Sequence, residues 1–349
     1  MEVRVEPFMV TKRVPLTISR GTTATSTNLW VRVCHEGLEG WGEASPFSTG
    51  FYPRQTLGDL RKALESAAGR LANLTPWDRQ AIATQTHDLP SAGRAALDMA
   101  CWDWVGKAVG QPLWRLWGLA REEIPVTTVT IGILEPEAAA QRVQQWFEQI
   151  EVQALKVKLG SPAGREADQA MLTAVLAARP RPVPVSVDAN GGWDLATARW
   201  MAAWLAERGI GSLEQPLAAG REAELPQLCR DCPLPVFVDE SCWTSEDVIQ
   251  LAALGIAGVN LKLMKCGGLI TGLGLIHTAR TLNLHVMIGC YSDSALANTA
   301  ASHLTPLVDA VDLDSHLNLQ DDPFQGATLA AGRLLPSDQP GLGVSHAHP

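Results

Sequence analysis

Two lysines, one residue apart, interrupt an apolar run at Leu155-Lys156-Val157-Lys158-Leu159-Gly160. In a strand, side chains alternate between faces, so Lys156 and Lys158 leave the same side. Two ammonium groups side by side in a buried strand repel each other and are desolvated. Both effects lower a lysine pKa toward the range in which the neutral amine acts as a general base. The hexapeptide by itself also fits a strand ending at a solvated edge, and the downstream sequence decides between the two. Three later apolar runs end in acid: Val185-Ser-Val-Asp188, Ser212-Leu-Glu214 and Phe237-Val-Asp239, 26 and 25 residues apart. A single such acid is an ordinary helix cap. Three at this spacing converge, and they repel unless a cation sits among them. Hard oxygen donors suit Mg²⁺. A further run, Val259-Asn-Leu-Lys262, ends in lysine. Lys158 and Lys262 are then expected on opposite sides of the metal, one removing an α-proton and the other returning one, while the metal stabilises the enediolate between. Lys265, three residues further on, reads as a solvated or loop-anchoring residue.

The elements that must position these groups follow from the hydrophobic pattern. Residues from Val3 to about Trp41 read as strands, with a hairpin turning at Glu36-Gly37. Helical periodicity covers 57–74 and 92–105. From Ile124 short apolar strands alternate with amphipathic helices: strands at 126–131, 154–158, 184–188, 211–214, 236–239, 258–262, 286–289 and 310–314, and helices including 136–150, 164–178 and one capped by Asp194. Eight strands in this grammar predict an α/β protein with a TIM-type (β/α) barrel. The acids then lie at the C-terminal mouth, where such barrels build their sites. The expected division is an α+β capping domain at 1–122, the barrel at 123–320, and a segment at 321–349 returning to the cap.

Composition narrows the field. Hydrophobic residues make up 46% and charged residues 19%, as in a well-cored globular protein, and the net charge of −9 with no basic block disfavours nucleic acid or an anionic membrane as partner. No signal peptide opens the chain and no run is long enough to span a bilayer, so a cytoplasmic location is expected. Seven scattered cysteines fit a reducing compartment, and Cys229 with Cys232 lacks a second pair to complete a zinc site. The oligomeric state is left open, a homo-oligomer included.

The motifs Lys156-Val-Lys158, Asp188-Ala-Asn190, Glu214-Gln-Pro216, Asp239-Glu-Ser241, Asn260-Leu-Lys-Leu-Met-Lys265 and Gly267-Gly268 together resemble the muconate-lactonizing subgroup of the enolase superfamily, over essentially the whole chain. That resemblance implies a modified (β/α)7β barrel, Mg²⁺ held by Asp188, Glu214 and Asp239, and acid/base roles for Lys158 and Lys262. Asn190 and Glu240 are supporting residues in this scheme. Within the subgroup, Asp312 and Asp314 in Val311-Asp-Leu-Asp-Ser-His316 resemble the dipeptide epimerase signature that binds the substrate ammonium. At i and i+2 both face the mouth, and two further carboxylates there call for another cation. Lys156 is expected to lower the Lys158 pKa and to contact the substrate carboxylate.

The implied activity is inversion of the second residue of an L,L-dipeptide. The alternatives are o-succinylbenzoate synthase or N-acylamino acid racemase chemistry, and, outside enzymes, a metal-binding barrel serving as an interaction protein. Specificity is expected in the loops at 17–25 and 44–55. Epimerases of alanyl-glutamate tend to carry an arginine just beyond the equivalent of Arg20, where this chain has Thr22 and Thr23. Either Arg20 or Arg54 reaches the side chain differently, or the second residue is not glutamate. Asp293, in Tyr291-Ser-Asp-Ser294, is either a pocket residue favouring a basic or polar substrate or a helix N-cap.

Overall fold

A computed structural model describes residues 1–46 and 55–346. Three antiparallel strands open the chain: β1 (Glu2–Ile18), β2 (Gly21–His35) and β3 (Leu38–Ala44). Glu36 and Gly37 join β2 to β3 with φ of 48° and 77°, the left-handed pair that a two-residue hairpin requires. Along β1 the buried face reads Phe8, Val10, Lys12. Between Thr11 and Leu16 the β1–β2 register shifts, and Lys12 bridges instead to Leu319. Pro15 lies in this stretch and has no N–H to give the ladder.

The helices α1 (Leu57–Leu71), α2 (Arg79–Gln85), α3 (Ser91–Val109) and α4 (Leu113–Leu116) complete this part. Helix α3 lies directly on β3. A Cβ at Gly40 or Gly42 would strike the carbonyls of Ala100 and Ala96, so glycine is what permits the close approach.

Eight parallel strands follow: β4 (Val129–Ile131), β5 (Leu155–Lys158), β6 (Val185–Asp188), β7 (Leu213–Glu214), β8 (Val236–Val238), β9 (Gly258–Leu261), β10 (His285–Gly289) and β11 (Ala310–Asp312). They pair in sequence order, and a parallel bridge between Thr127 and Val311 joins the last to the first. The expected barrel is therefore present. Its strands are shorter than the apolar runs because the ends turn early. Gln215 takes a φ of 34°, and Asp314 opens a 3-10 turn over Ser315–Asn318 rather than extending β11. The connecting helices are α5 (Pro136–Gln149), α6 (Arg165–Ala178), α7 (Leu195–Ala206), α8 (Leu225–Cys229), α9 (Ser245–Ala252), α10 (Leu263–Cys266), α11 (Leu269–Thr281) and α12 (Ala295–Ser302). Asp194 caps α7 as expected, accepting from Thr197 N. Among the described residues no α-helix follows β11.

The remaining described residues form β12 (Phe324–Gln325), β13 (Thr328–Ala330), β14 (Arg333–Leu335) and β15 (Ser345–His346), of which β12 and β15 pack on the first three strands. Phe324 sits 5.9, 5.8 and 5.6 Å from the rings of Phe8, Trp30 and Trp41, and His346 stacks on Trp41 at 5.7 Å. Such aromatic pairs contribute about 0.5–1.5 kcal/mol each beyond burial. Asp103, fully buried on α3, holds both neighbours. It accepts from Trp41 N at 2.9 Å and Leu342 N at 2.8 Å and pairs with Lys107 at 2.7 Å. All seven cysteines are free. No helix among the described residues is long and apolar enough to cross a membrane.

Candidate active site

At the C-terminal ends of β6, β7 and β8 the structure brings Asp188, Glu214 and Asp239 together, fully buried, with a ligand atom of each within 4.8 Å of the others. Asp188 and Glu214 are direct cross-strand neighbours, but Glu214 is level with Phe237, so Asp239 projects two residues further along. Asp188 and Glu214 thus share one height and Asp239 lies beyond them, because strands in a closed barrel are staggered.

Side chains and backbone on the adjoining loops fix each acid. Asn190 donates to Asp188 from its backbone at 2.7 Å and from its amide at 3.0 Å, and its amide also reaches Glu240 at 3.2 Å. Asn260 donates to Glu214 at 2.8 Å, and Gln215 accepts from Asp239 N at 2.8 Å. Asn190 and Gln215 both have positive φ, 44° and 34°. Neither is glycine, so the backbone strain is held by these side-chain bonds.

Four lysines surround the triad. Lys158 pairs with Asp188 at 2.6 Å and Lys262 with Asp239 at 2.7 Å. Lys158 lies on β5 and Lys262 follows β9, four strands apart in a ring of eight, with the acids on the arc between. Lys262 Nζ also lies 4.5 Å from the Tyr291 ring centroid. Both lysines and Tyr291 line a cavity of about 340 Å³ with Arg20, Thr22, Thr23, Ile18 and Pro46 over it.

The other two lysines are engaged by the protein itself. Of the two readings of Lys265, the anchoring one holds and the solvated one does not. Lys265 is buried and donates to Asp239 Oδ1 at 2.5 Å, to Asp239 O at 2.5 Å and to Asn260 O at 2.9 Å. The one-turn helix α10 returns position i+3 to the side of Lys262. Lys156 is fully buried and does not line the 340 Å³ cavity. It lies 2.6 Å from both Glu214 Oε2 and Asp312 Oδ2, so its charge is already engaged by protein carboxylates. The Glu214 contact is an ion pair without hydrogen-bond alignment.

The expected lowering of the Lys158 pKa is also reversed. Burial pushes it down and Lys156 adds to that, but the carboxylates of Asp188, Asp312 and Glu214 together outweigh both. Lys262 is likewise raised, its burial outweighed by carboxylates led by Asp239.

Asp312 and Asp314 are both buried and line a smaller cavity of about 60 Å³ with Lys158, but they are not equivalent. Asp312 bonds Lys156 and accepts from Thr128 Oγ1 at 2.5 Å. Burial raises its carboxyl, but Lys156 foremost among the neighbours pulls it to about 2. The cation that the acidic pair calls for is thus present for Asp312. Asp314 has no lysine partner among the described residues; it accepts from Thr130, whose N lies at 2.6 Å, and burial together with Asp312 pushes it up to about 6.

Arg20 bonds Glu240 at 2.7 Å and Asn190 O at 2.7 Å, which ties the first segment to the barrel mouth. Arg54 lies outside the described residues. Asp293 does not line the cavity of the two lysines, and Ser294 rather than Asp293 caps α12. Asp293 instead accepts from Ser45 Oγ at 2.7 Å and Tyr291 N at 3.0 Å, beside the buried Glu43.

The donor set fits Mg²⁺: three buried carboxylates, all oxygen, with room for further oxygen ligands in an adjoining cavity. This barrel with acids on consecutive strands and lysines across the mouth defines a class of proton-transferring enzymes, and comparison with known proteins agrees. Residues 1–118 match the mandelate racemase / muconate lactonizing enzyme N-terminal domain, and residues 138–348 match the enolase C-terminal domain-like family. The chain belongs to the mandelate racemase/muconate lactonizing enzyme family of the enolase superfamily. It is 42% identical to the hydrophobic dipeptide epimerase of Roseobacter litoralis, covering 99% of this chain and 100% of the relative. It is 43% identical to a hydrophobic dipeptide epimerase of a Flavobacteria bacterium, with 95% of each covered. Among solved structures, the dipeptide epimerase of Enterococcus faecalis complexed with Mg and the dipeptide L-Leu-L-Tyr superposes with a TM-score of 0.91 at 29% identity over 99% of both chains.

Proposed function

We propose that this chain is a Mg²⁺-dependent dipeptide epimerase that inverts the α-carbon of the second residue by proton transfer between two lysines. The observation that carries the reading is the placement of Lys158 and Lys262 on opposite sides of one cavity, with three buried carboxylates on the arc between. Asp188, Glu214 and Asp239 hold the metal in this reading. Bound Mg²⁺ supplies positive charge for the developing anion on the substrate carboxylate and competes with the lysines for the acids.

The neutral amine of one lysine removes the α-proton from one face, and the ammonium of the other delivers a proton to the opposite face. Lys265 and Asn260 orient Asp239 and Glu214, and Lys156 links Glu214 to Asp312. Asp314, with help from Asp312, receives the substrate ammonium. The second residue's side chain lies against Ile18, Thr22, Thr23 and Pro46, a mostly uncharged surface that suits an apolar residue. The curated relatives named for hydrophobic dipeptides support that preference. The division at 122 and 320 into cap, barrel and returning segment, and a cytoplasmic location with its cysteines free, complete the reading.

The test is incubation with L-Ala-L-Leu and Mg²⁺, followed by chiral analysis of the second residue. L-Ala-D-Leu is the expected product, and N-acetyl-L-Leu is expected to remain unchanged. Racemisation of the N-acetyl substrate in preference to the dipeptide would overturn the assignment.

A further inference from the structure

Lys12 is a buried charge that the proton transfer does not use. It is 7% exposed and belongs to the inner face of β1, following Phe8 and Val10. The register shift after Thr11 takes this part of β1 off β2 and onto Leu319, and so turns a cap residue toward the barrel mouth. Its ammonium donates to Ser292 Oγ at 2.7 Å. Among the described residues it forms no ion pair, and burial lowers its pKa. An ammonium has three donors, and among the described residues only the one to Ser292 is engaged.

Lys12 lines the cavity of about 60 Å³ that also holds Asp312, Asp314, Trp146 and Asn318. That volume is about two water molecules' share. Its carboxylates form one part of the wall and the Lys12 ammonium another.

We infer that Lys12 selects the first residue of the dipeptide, favouring a small side chain with a neutral hydrogen-bond acceptor, such as Asn or Ser. The inference rests on the dipeptide reading, which places the substrate ammonium at Asp314. The first side chain leaves the same α-carbon as that ammonium and so enters the space bounded by Lys12. A cationic side chain there meets a like charge, an anionic one meets Asp312 and Asp314, and a large one exceeds the volume. An acceptor such as a carboxamide oxygen takes up a free Lys12 donor.

The experiment compares kcat/KM of the Mg²⁺-loaded protein for four dipeptides that share L-Leu as second residue: L-Asn, L-Leu, L-Ala and L-Lys in first position. Asn and Leu have closely similar shapes, so their ratio isolates the polar contact. L-Asn-L-Leu is expected to exceed L-Leu-L-Leu by at least about tenfold, with L-Lys-L-Leu the poorest. Lys12→Met is expected to bring the Asn/Leu ratio within about twofold, and Lys12→Gln, which keeps a donor, to retain an Asn preference. The ratio is internal to each protein and does not depend on how active a variant remains. If neither variant folds, the wild-type profile still decides. Equal or better turnover of L-Leu-L-Leu by the wild type, or an unchanged ratio in Lys12→Met, overturns the inference. Failure to turn over any free-amine dipeptide overturns the parent reading, and the inference with it.

Discussion

Replacing Asp314 by Asn separates substrate binding from folding. The Asp314 carboxyl is pushed from 3.8 up to about 6, first by burial and then by Asp312. A folded pKa above the unfolded one means that the native state holds the proton more tightly. Stability therefore falls as pH rises from about 4 to 6, and the full cost is present at neutral pH. A gap of roughly two units corresponds to about 3 kcal/mol as an upper bound. Asn carries no charge, and its carbonyl oxygen can keep the bond from Thr130 N, so Asp314→Asn is expected to raise the Tm of the substrate-free protein by a few degrees. Binding responds in the opposite sense. A charge-assisted bond to the substrate ammonium, about 1.5–3 kcal/mol, is lost, and KM for L-Ala-L-Leu rises on the order of tenfold or more. In the wild type the ionised fraction of a group titrating near 6 falls to about one-tenth by pH 5, so KM rises about tenfold between pH 7.5 and 5. The variant's KM lacks that dependence. The assays are scanning calorimetry and initial rates by chiral chromatography at saturating Mg²⁺. A lower Tm with an unchanged KM, or a wild-type KM flat across this range, would refute the reasoning.

Three other outcomes are expected. Lys158→Ala and Lys262→Ala each abolish epimerisation, and each retains α-proton exchange with D₂O on one epimer only, read by NMR; normal epimerisation by either variant contradicts the two-lysine assignment. Asp103→Ala removes the acceptor shared by Trp41 N and Leu342 N and the partner of Lys107, at a cost of about 2–5 kcal/mol seen as a lower urea midpoint. Glu43, pushed up to about 8 by burial and by Asp293, makes the native state the tighter proton binder, so stability falls as pH rises from about 4.5 to 8. Glu43→Gln flattens that slope in urea titrations at pH 6 and 9, and an equal slope in both proteins counts against the assignment.

The barrel was legible because its strands are short apolar runs at regular spacing, and the acids because they end three consecutive runs. What escaped the sequence was three-dimensional compensation. Lys265 read as a loop lysine, since nothing in Leu263-Met-Lys265-Cys266 announces that one helical turn brings it back onto Asp239. Lys156 reads as a substrate contact because it shares one face of β5 with Lys158. Its actual partners, Glu214 and Asp312, are 58 and 156 residues away and meet it only when the barrel closes. The direction of the Lys158 pKa escapes for the same reason: burial and a like charge are visible in the sequence, and the surrounding carboxylates are not. Asp293 read as a pocket residue or a cap, and neither holds because the Glu43 and Ser45 side chains come from a distant strand and its following loop. Lys12 was open to detection. The alternation Phe8, Val10, Lys12 puts a lysine on an apolar face, and only the register shift that turns it toward the barrel was beyond the sequence.

The central claim, proton exchange between two lysines at one α-carbon, is tested most directly by converting L-Ala-L-Leu in D₂O with saturating Mg²⁺ and following deuterium at the leucine α-carbon from the first turnovers. Transfer between two bases predicts that the L-Ala-D-Leu product carries deuterium from the outset while the remaining L,L substrate is still protiated, and that excess chelator stops both inversion and exchange. Early product that retains its original proton would contradict the account, as would exchange that continues undiminished in a thoroughly metal-stripped protein.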